Sequence, residues 1–132
     1  MSPAPESATA TILLVEDDEA TTETFARMLR LQGYRVQTAL SAEAGLREVG
    51  SSAPDAIILD LRMPEVDGLE FLRRLRTGHA RRDTPVAVVT GDYFVDETVR
   101  TQLRELNAQV RYKPLWLEDL VRLVDELLDS RR

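Results

Sequence analysis

Four short segments of this 132-residue chain carry side chains that could do chemistry together: Glu16-Asp17-Asp18, Asp60, Thr90 and Lys113-Pro114. Carboxylates crowded into one site repel and raise one another's pKa unless a cation joins them. The cation that suits them is Mg²⁺, or Mn²⁺ in its place, a hard ion bound through oxygen by carboxylates and phosphate. The chemistry that follows is phosphoryl transfer. A carboxylate can accept a phosphoryl group as a covalent aspartyl phosphate. The metal and the lysine neutralise charge on the transferring oxygens, and a threonine hydroxyl can donate to one of them. Taken singly, each residue also has an ordinary structural reading. Asp18 reads as a helix cap, Thr90 as a strand-end threonine, Lys113-Pro114 as a turn and Asp60 as a loop acid. Their joint placement is what argues for a site, and that depends on the elements around them.

From Thr11 onward, short apolar runs alternate with helical patterns five times. The runs are Thr11–Glu16, Tyr34–Ala39, Ala56–Asp60, Pro85–Thr90 and Val110–Tyr112. The first, third and fourth are almost unbroken aliphatics, as expected of central parallel strands covered on both faces. The second alternates and the fifth is short, as expected of edges. The helices follow from 3.6-residue spacing. Thr21, Phe25, Met28 and Leu29 define the first, which stops at Gly33. Ala42, Gly45, Leu46 and Val49 define the second, with Ser41 as its cap. Leu69, Leu72 and Leu75 define the third, ending at Gly78, and Val95, Val99, Leu103 and Leu106 the fourth. Leu117, Leu120, Val121, Val124 and Leu128 define the fifth. Five β–α units in sequence imply a parallel sheet with helices on both faces, and right-handed crossovers leave few topologies. In such sheets ligands gather at the C-terminal ends of the strands. The acids, the threonine and the lysine follow strands one, three, four and five, so all arrive at that edge.

Composition narrows the classes. Seventeen basic residues against twenty-three acidic give a net charge of −6, which argues against direct nucleic-acid binding or an anionic membrane surface. The chain has no cysteine and a single histidine, His79, so disulfides, thiolate chemistry and His-rich metal sites are excluded. No apolar run is long enough to span a membrane, and the first ten residues lack the pattern of a secretory signal. The cytoplasm is the expected setting. Residues 1–10 read as a disordered lead-in, 11–129 as the folded unit and 130–132 as a tail.

With these motifs in place, the sequence resembles the receiver (CheY-like) domain of two-component response regulators over roughly Thr11 to Leu128. The matching segments are ILLVEDDE, ILDLRMPEVDGLEFL, VVTGD and YKPL. They occur in family order, with 43, 30 and 23 residues separating Asp17, Asp60, Thr90 and Lys113. The D-L-R-M-P-x-x-D-G block is the specific part. The resemblance implies a flavodoxin-like (βα)5 sandwich with strand order 2-1-3-4-5 and Asp60 as phosphoacceptor. It implies Asp17 as a direct Mg²⁺ ligand, Glu16 acting through water, and the backbone carbonyl of Arg62 as a further contact. Thr90 and Lys113 are implied to bind phosphoryl oxygens. Pro64, Asp67 and Gly68 would shape the loop and start of the third helix, with Asp67 as its cap. The implied partners are a histidine kinase or phosphotransfer protein and an unknown downstream protein.

Two positions qualify the match. Receivers usually carry an aromatic three residues before the lysine, and here that position is Val110. Tyr112 lies on the same strand face by the period of two and is a candidate to take over part of that switching role; the alternative is a switch without an aromatic. Arg62 and Asp92, each two residues beyond Asp60 and Thr90, occupy positions that tune phosphoryl lifetime in the family. Their opposite charges could close over the site, although exposed pairs are worth little.

The five units are used up by about residue 128, so the expectation is a stand-alone receiver signalling by protein contact, through the loop Gly91–Phe94, the fourth helix and the fifth strand. A phosphate relay or sink, or a non-phosphorylated pseudo-receiver, are the alternatives. A haloacid-dehalogenase-like phosphohydrolase fits less well, because that family places its nucleophile after the first strand in a D-x-D pattern. The fourth helix, fifth strand and fifth helix are the expected partner or homodimer face. Trp116, nearby, reads as core.

Overall fold

Strands of five residues, four of them aliphatic in each, build the centre of the sheet. In a computed structural model, which describes residues 10–61, 63, 67–78, 82–91 and 96–130, β1 (Thr11–Val15), β3 (Ala56–Asp60) and β4 (Val86–Thr90) are buried almost throughout. Strands covered on both faces need apolar side chains, and these supply them everywhere but at Thr11, Asp60 and Thr90. β2 (Arg35–Ala39) buries only Val36 and Ala39, and β5 (Ala108–Tyr112) is half-buried along its length. These two are the edges of a five-stranded parallel sheet of order β2-β1-β3-β4-β5, so the flavodoxin-like topology holds.

Five helices connect the strands: α1 (Glu19–Leu31), α2 (Ala42–Ser52), α3 (Gly68–Thr77), α4 (Glu97–Glu105) and α5 (Leu117–Ser130). Four begin at side chains that accept a backbone N–H three residues on: Asp18 from Thr21, Ser41 from Ala44, Asp67 from Glu70 and Asp96 from Val99. Such caps satisfy donors that the first turn leaves without partners. α5 starts in the opposite sense, the Asp119 carboxylate reaching back to the Trp116 N–H at 2.9 Å. α1 closes at Gly33, whose φ of 98° is the left-handed turn that glycine makes without steric cost.

Alternate residues of each central strand feed opposite faces. Leu13, Val15, Ile57, Leu59, Val86 and Val88 pack with Val49, Phe71, Leu72, Leu75 and Leu103 from α2, α3 and α4. Ile12, Leu14, Ile58, Ala87 and Val89 pack with Ala26, Leu29, Leu120, Leu123, Val124 and Leu127 from α1 and α5. A fully buried side chain such as Phe71 contributes about 1.5–3 kcal/mol.

Three details depart from the periodicity argument. β5 begins at Ala108, two residues before the apolar run, because an edge strand tolerates polar residues such as Gln109 on the pleat. α5 buries Leu120, Leu123, Val124, Leu127 and Leu128. Its core face is therefore turned away from Leu117, which is 40% exposed at the helix start. Trp116, expected in the core, is 67% exposed. The apolar contact at this point is made instead by its neighbour Leu115, packed on the α1/α5 side. Arg62, Pro64, Asp92 and Val95, with the lead-in through residue 9 and the end of the tail, lie outside the described residues.

Candidate functional site

The register of the sheet brings the chemical side chains together. Val15 is level with Leu59, and Asp60 with Val89, so Glu16 follows β1 at the height where Asp60 ends β3. Parallel neighbours lie about 4.8 Å apart. Two backbone bonds hold the ends in place: Glu16 N–H to the Ala39 carbonyl at 3.0 Å, and Lys113 N–H to the Thr90 carbonyl at 2.9 Å. From α1, the Thr22 hydroxyl donates to the carbonyls of Glu16 and Asp18 at 3.3 and 3.0 Å, fixing the turn that carries the acids.

Glu16, Asp17 and Asp60 each place a carboxylate oxygen within 4.8 Å of the others'. Glu16 is buried, Asp17 exposed and Asp60 half-buried, so the cluster opens to solvent on the Asp17 side. Lys113 enters from the end of β5, its Nζ 2.7 Å from Glu16 Oε1 and 3.9 Å from Asp60 Oδ1. The Lys113–Pro114 peptide is cis. Thr90 is fully buried at the end of β4.

The electrostatics centre on Glu16. Burial raises its pKa above the ordinary carboxylate value, the Asp60 carboxyl beside it raises it further, and the Lys113 ammonium pulls it down. The net direction is upward. Its second oxygen, Oε2, is buried without a hydrogen-bond partner, a costly condition for a carboxylate. A divalent cation among these oxygens relieves both the repulsion and the unsatisfied atom, and the all-oxygen donor set is the kind Mg²⁺ takes. The residues present therefore fit that ion.

Gly68 sets the height of Asp60. Its N–H donates to the Leu61 carbonyl at 2.9 Å. A Cβ at this position would lie 2.5 Å from the Asp60 carbonyl oxygen and 2.9 Å from Leu61 Cα, so only glycine lets α3 start this close to the end of β3. Asp67 caps α3 as expected, and Asp18 is a cap whose pKa is lowered by hydrogen bonds from the Thr21 hydroxyl and N–H.

The two switch candidates separate. Val110 is level with Val88 and packs against the apolar cluster. Tyr112 is level with Thr90, and its hydroxyl accepts a hydrogen bond from Arg100 of α4 at 3.1 Å. Arg100 was not singled out by sequence; a single arginine on a polar helix face carries no pattern that would mark it. Arg62 and Asp92 lie outside the described residues.

Comparison with known proteins points one way. The family model of the response regulator receiver domain matches residues 12–125. The transcriptional regulatory protein PrrA of Mycobacterium leprae is 36% identical over 120 residues, covering 91% of this chain and 50% of that protein. The response regulator MprA of Mycolicibacterium vanbaalenii is 43% identical over 89 residues, covering 67% of this chain and 37% of its own length. The chain thus spans half or less of these curated relatives. Among solved structures, the chemotaxis protein CheY4 of Vibrio cholerae superposes with a TM-score of 0.84 at 25% identity, covering 91% of this chain and 99% of that one. By the family match across almost its whole sheet and by the shared topology, this chain belongs to the response regulator receiver domain family.

Proposed function

We propose that Asp60 accepts a phosphoryl group from a phosphohistidine of a histidine kinase or histidine phosphotransfer protein, and that the phosphorylated chain signals through contact with a downstream protein. Phosphorylation on aspartate and Mg²⁺ binding are general properties of the family. The observation that carries the reading is the convergence of Glu16, Asp17 and Asp60 with Lys113 at one end of the sheet. A carboxylate oxygen of Asp60 attacks phosphorus as the phosphorus–nitrogen bond breaks, and the imidazole leaves with the electron pair. Lys113, already within reach of Asp60, neutralises charge on the incoming phosphoryl oxygens, and the Thr90 hydroxyl donates to one of them. Asp17 would ligate the ion directly, Glu16 would hold it through water, and the carbonyl of Arg62, outside the described residues, would be a further contact. When bound, Mg²⁺ offsets the negative charge of acids and phosphoryl group alike. Arg62 and Asp92 are the positions proposed to tune phosphoryl lifetime.

The partner face of this reading is α4, β5 and α5, and what supports it is the exposure of Trp116 and Leu117 beside it and the Arg111–Glu126 pair at 2.7 Å across the β5–α5 surface. No helix among the described residues is long and apolar enough to cross a membrane, and a cytoplasmic setting is part of the proposal. The test is intact mass after incubation with a small-molecule phosphodonor and Mg²⁺. One phosphoryl adduct on the wild type, dependent on Mg²⁺ and lost in Asp60→Asn, is expected. No adduct, or the same adduct on the variant, overturns the reading.

A further inference from the structure

We propose that Thr22 of α1 is a positioning residue for the cation site: its hydroxyl, shared between the carbonyls of Glu16 and Asp18, sets the backbone on both sides of Asp17 and so presents the Asp17 carboxylate to Mg²⁺. This role rests on the reading of Asp17 as the direct ligand. Three observations carry it. Thr22 is buried on the inner face of α1 beside Ala26 and Leu29, where an aliphatic side chain of the same shape would pack as well. The other buried threonines have evident duties: Thr90 ends β4 at the site, and Thr84, at the opposite end of the sheet, gives its carbonyl to Arg76. The Thr22 hydroxyl reaches the Asp18 carbonyl at 3.0 Å and the Glu16 carbonyl at 3.3 Å. The bond to Asp18, four residues back, is the ordinary one of a helical threonine. The bond to Glu16, six residues back, crosses from the helix to the end of β1 and has no such explanation. Finally, the Asp17 carboxylate is exposed, and among the described residues no hydrogen bond or ion pair reaches it.

Asp17 is therefore placed by its backbone rather than by contacts of its own. Each peptide unit is planar. Holding the Glu16 carbonyl fixes the plane of the unit that leads into Asp17, and holding the Asp18 carbonyl fixes the turn that follows. The Asp18 carbonyl also accepts from the Thr22 N–H at 3.0 Å, so it keeps a donor if the hydroxyl is lost. The Glu16 carbonyl loses the Thr22 donor outright. Thr22 also lines, with Glu16, Asp60 and Lys113, a narrow space between α1 and the strand ends, which puts the hydroxyl directly against the site. A ligand held ready needs less ordering when the ion arrives, and groups that orient metal ligands alter metal affinity without touching the metal.

The experiment is a Mg²⁺ titration of the whole chain, followed by the amide chemical shifts of residues 15–19, for the wild type, Thr22→Val, Thr22→Ala and Thr22→Ser. Valine keeps the branched shape without the hydroxyl, and alanine repeats the deletion with a smaller side chain, so a misfit of the valine does not decide the result. Serine keeps the hydroxyl. The dissociation constant for Mg²⁺ is expected to rise about fivefold in Thr22→Val and Thr22→Ala, the worth of one ordinary hydrogen bond, and to stay within about twofold of the wild type in Thr22→Ser. The Mg²⁺ concentration that gives half of the Asp60 adduct from a phosphodonor is expected to rise by the same factor, with the yield at saturating Mg²⁺ as in the wild type. A role in packing alone would lower the urea midpoint in chelator and leave the Mg²⁺ affinity of the folded chain unmoved. Wild-type affinity in either variant that lacks the hydroxyl therefore overturns the proposal, and so does an equal loss in Thr22→Ser. A wild type that binds Mg²⁺ at these amides but forms no adduct overturns the phosphoacceptor reading of Asp60 alone, while the titration still decides the part played by Thr22. A wild type whose amides do not respond to Mg²⁺ overturns both.

Discussion

Glu16 shows what burial beside a second acid does to a carboxylate. Its pKa is raised first by burial and then by Asp60, so the folded chain holds that proton more tightly than the unfolded chain does. The sign follows by linkage: without metal, this residue favours the fold most below its unfolded value of 4.5, and that advantage is lost as pH rises through the raised folded value. Glu16→Gln removes the charge, and in a chelator at neutral pH it is expected to unfold at higher urea than the wild type. Saturating Mg²⁺ is expected to narrow or reverse the order, because the ion stabilises only the chain that binds it well. Equal midpoints in chelator would contradict the account. Much of this residue-level picture was legible beforehand, since acids, threonine and lysine placed directly after strands must meet at one edge of a parallel sheet. The Arg100–Tyr112 bond was not legible, because it joins a helix face to an edge strand and neither residue's type or spacing encodes that meeting. Trp116 was misplaced for a related reason: a large aromatic beside an apolar stripe reads as core, yet the neighbouring Leu115 makes the apolar contact.

At the scale of elements, the aliphatic runs of β1, β3 and β4 and the caps Ser41, Asp67 and Gly33 fixed the layers and most helix ends from sequence. The edges were less clear, since β5 is half-buried throughout and its apolar signal covers only part of the strand. One element-level device had no sequence signal. Arg76, at the end of α3, donates to the carbonyls of Leu106, Arg82 and Thr84 at 2.8, 2.9 and 2.5 Å. It thereby ties α3 to the turn before β5 and to the approach to β4, at the end of the sheet opposite the acids. Burial lowers its pKa, partly offset by Asp83. Arg76→Ala leaves those carbonyls to find other donors and is expected to cost about 2 kcal/mol of stability, read from urea unfolding. The Asp60 adduct should still form below the transition, because the strand ends carrying the acids are untouched. A change within a few tenths of a kcal/mol would show that the clamp is not structural.

For the molecule as a whole, the acids behind the net charge of −6 include helix caps, surface acids and the three carboxylates gathered at one site. The proposed partner face on α4, β5 and α5 gives a prediction at this scale. Sedimentation velocity should show the phosphorylated protein self-associating more than the free form. Arg111→Glu should weaken that association, since it reverses the charge facing Glu126 on the same surface. Identical sedimentation in both states would place the output in a different partner. All of this depends on where the phosphoryl group lands, and one measurement addresses that most directly: phosphorylate the chain with a small-molecule donor and Mg²⁺, reduce the acyl phosphate with borohydride, and locate the modified residue by peptide sequencing in the mass spectrometer. The account predicts one modified position, Asp60. Modification at Asp17, Asp18 or any other residue, with Asp60 unaltered, would contradict it.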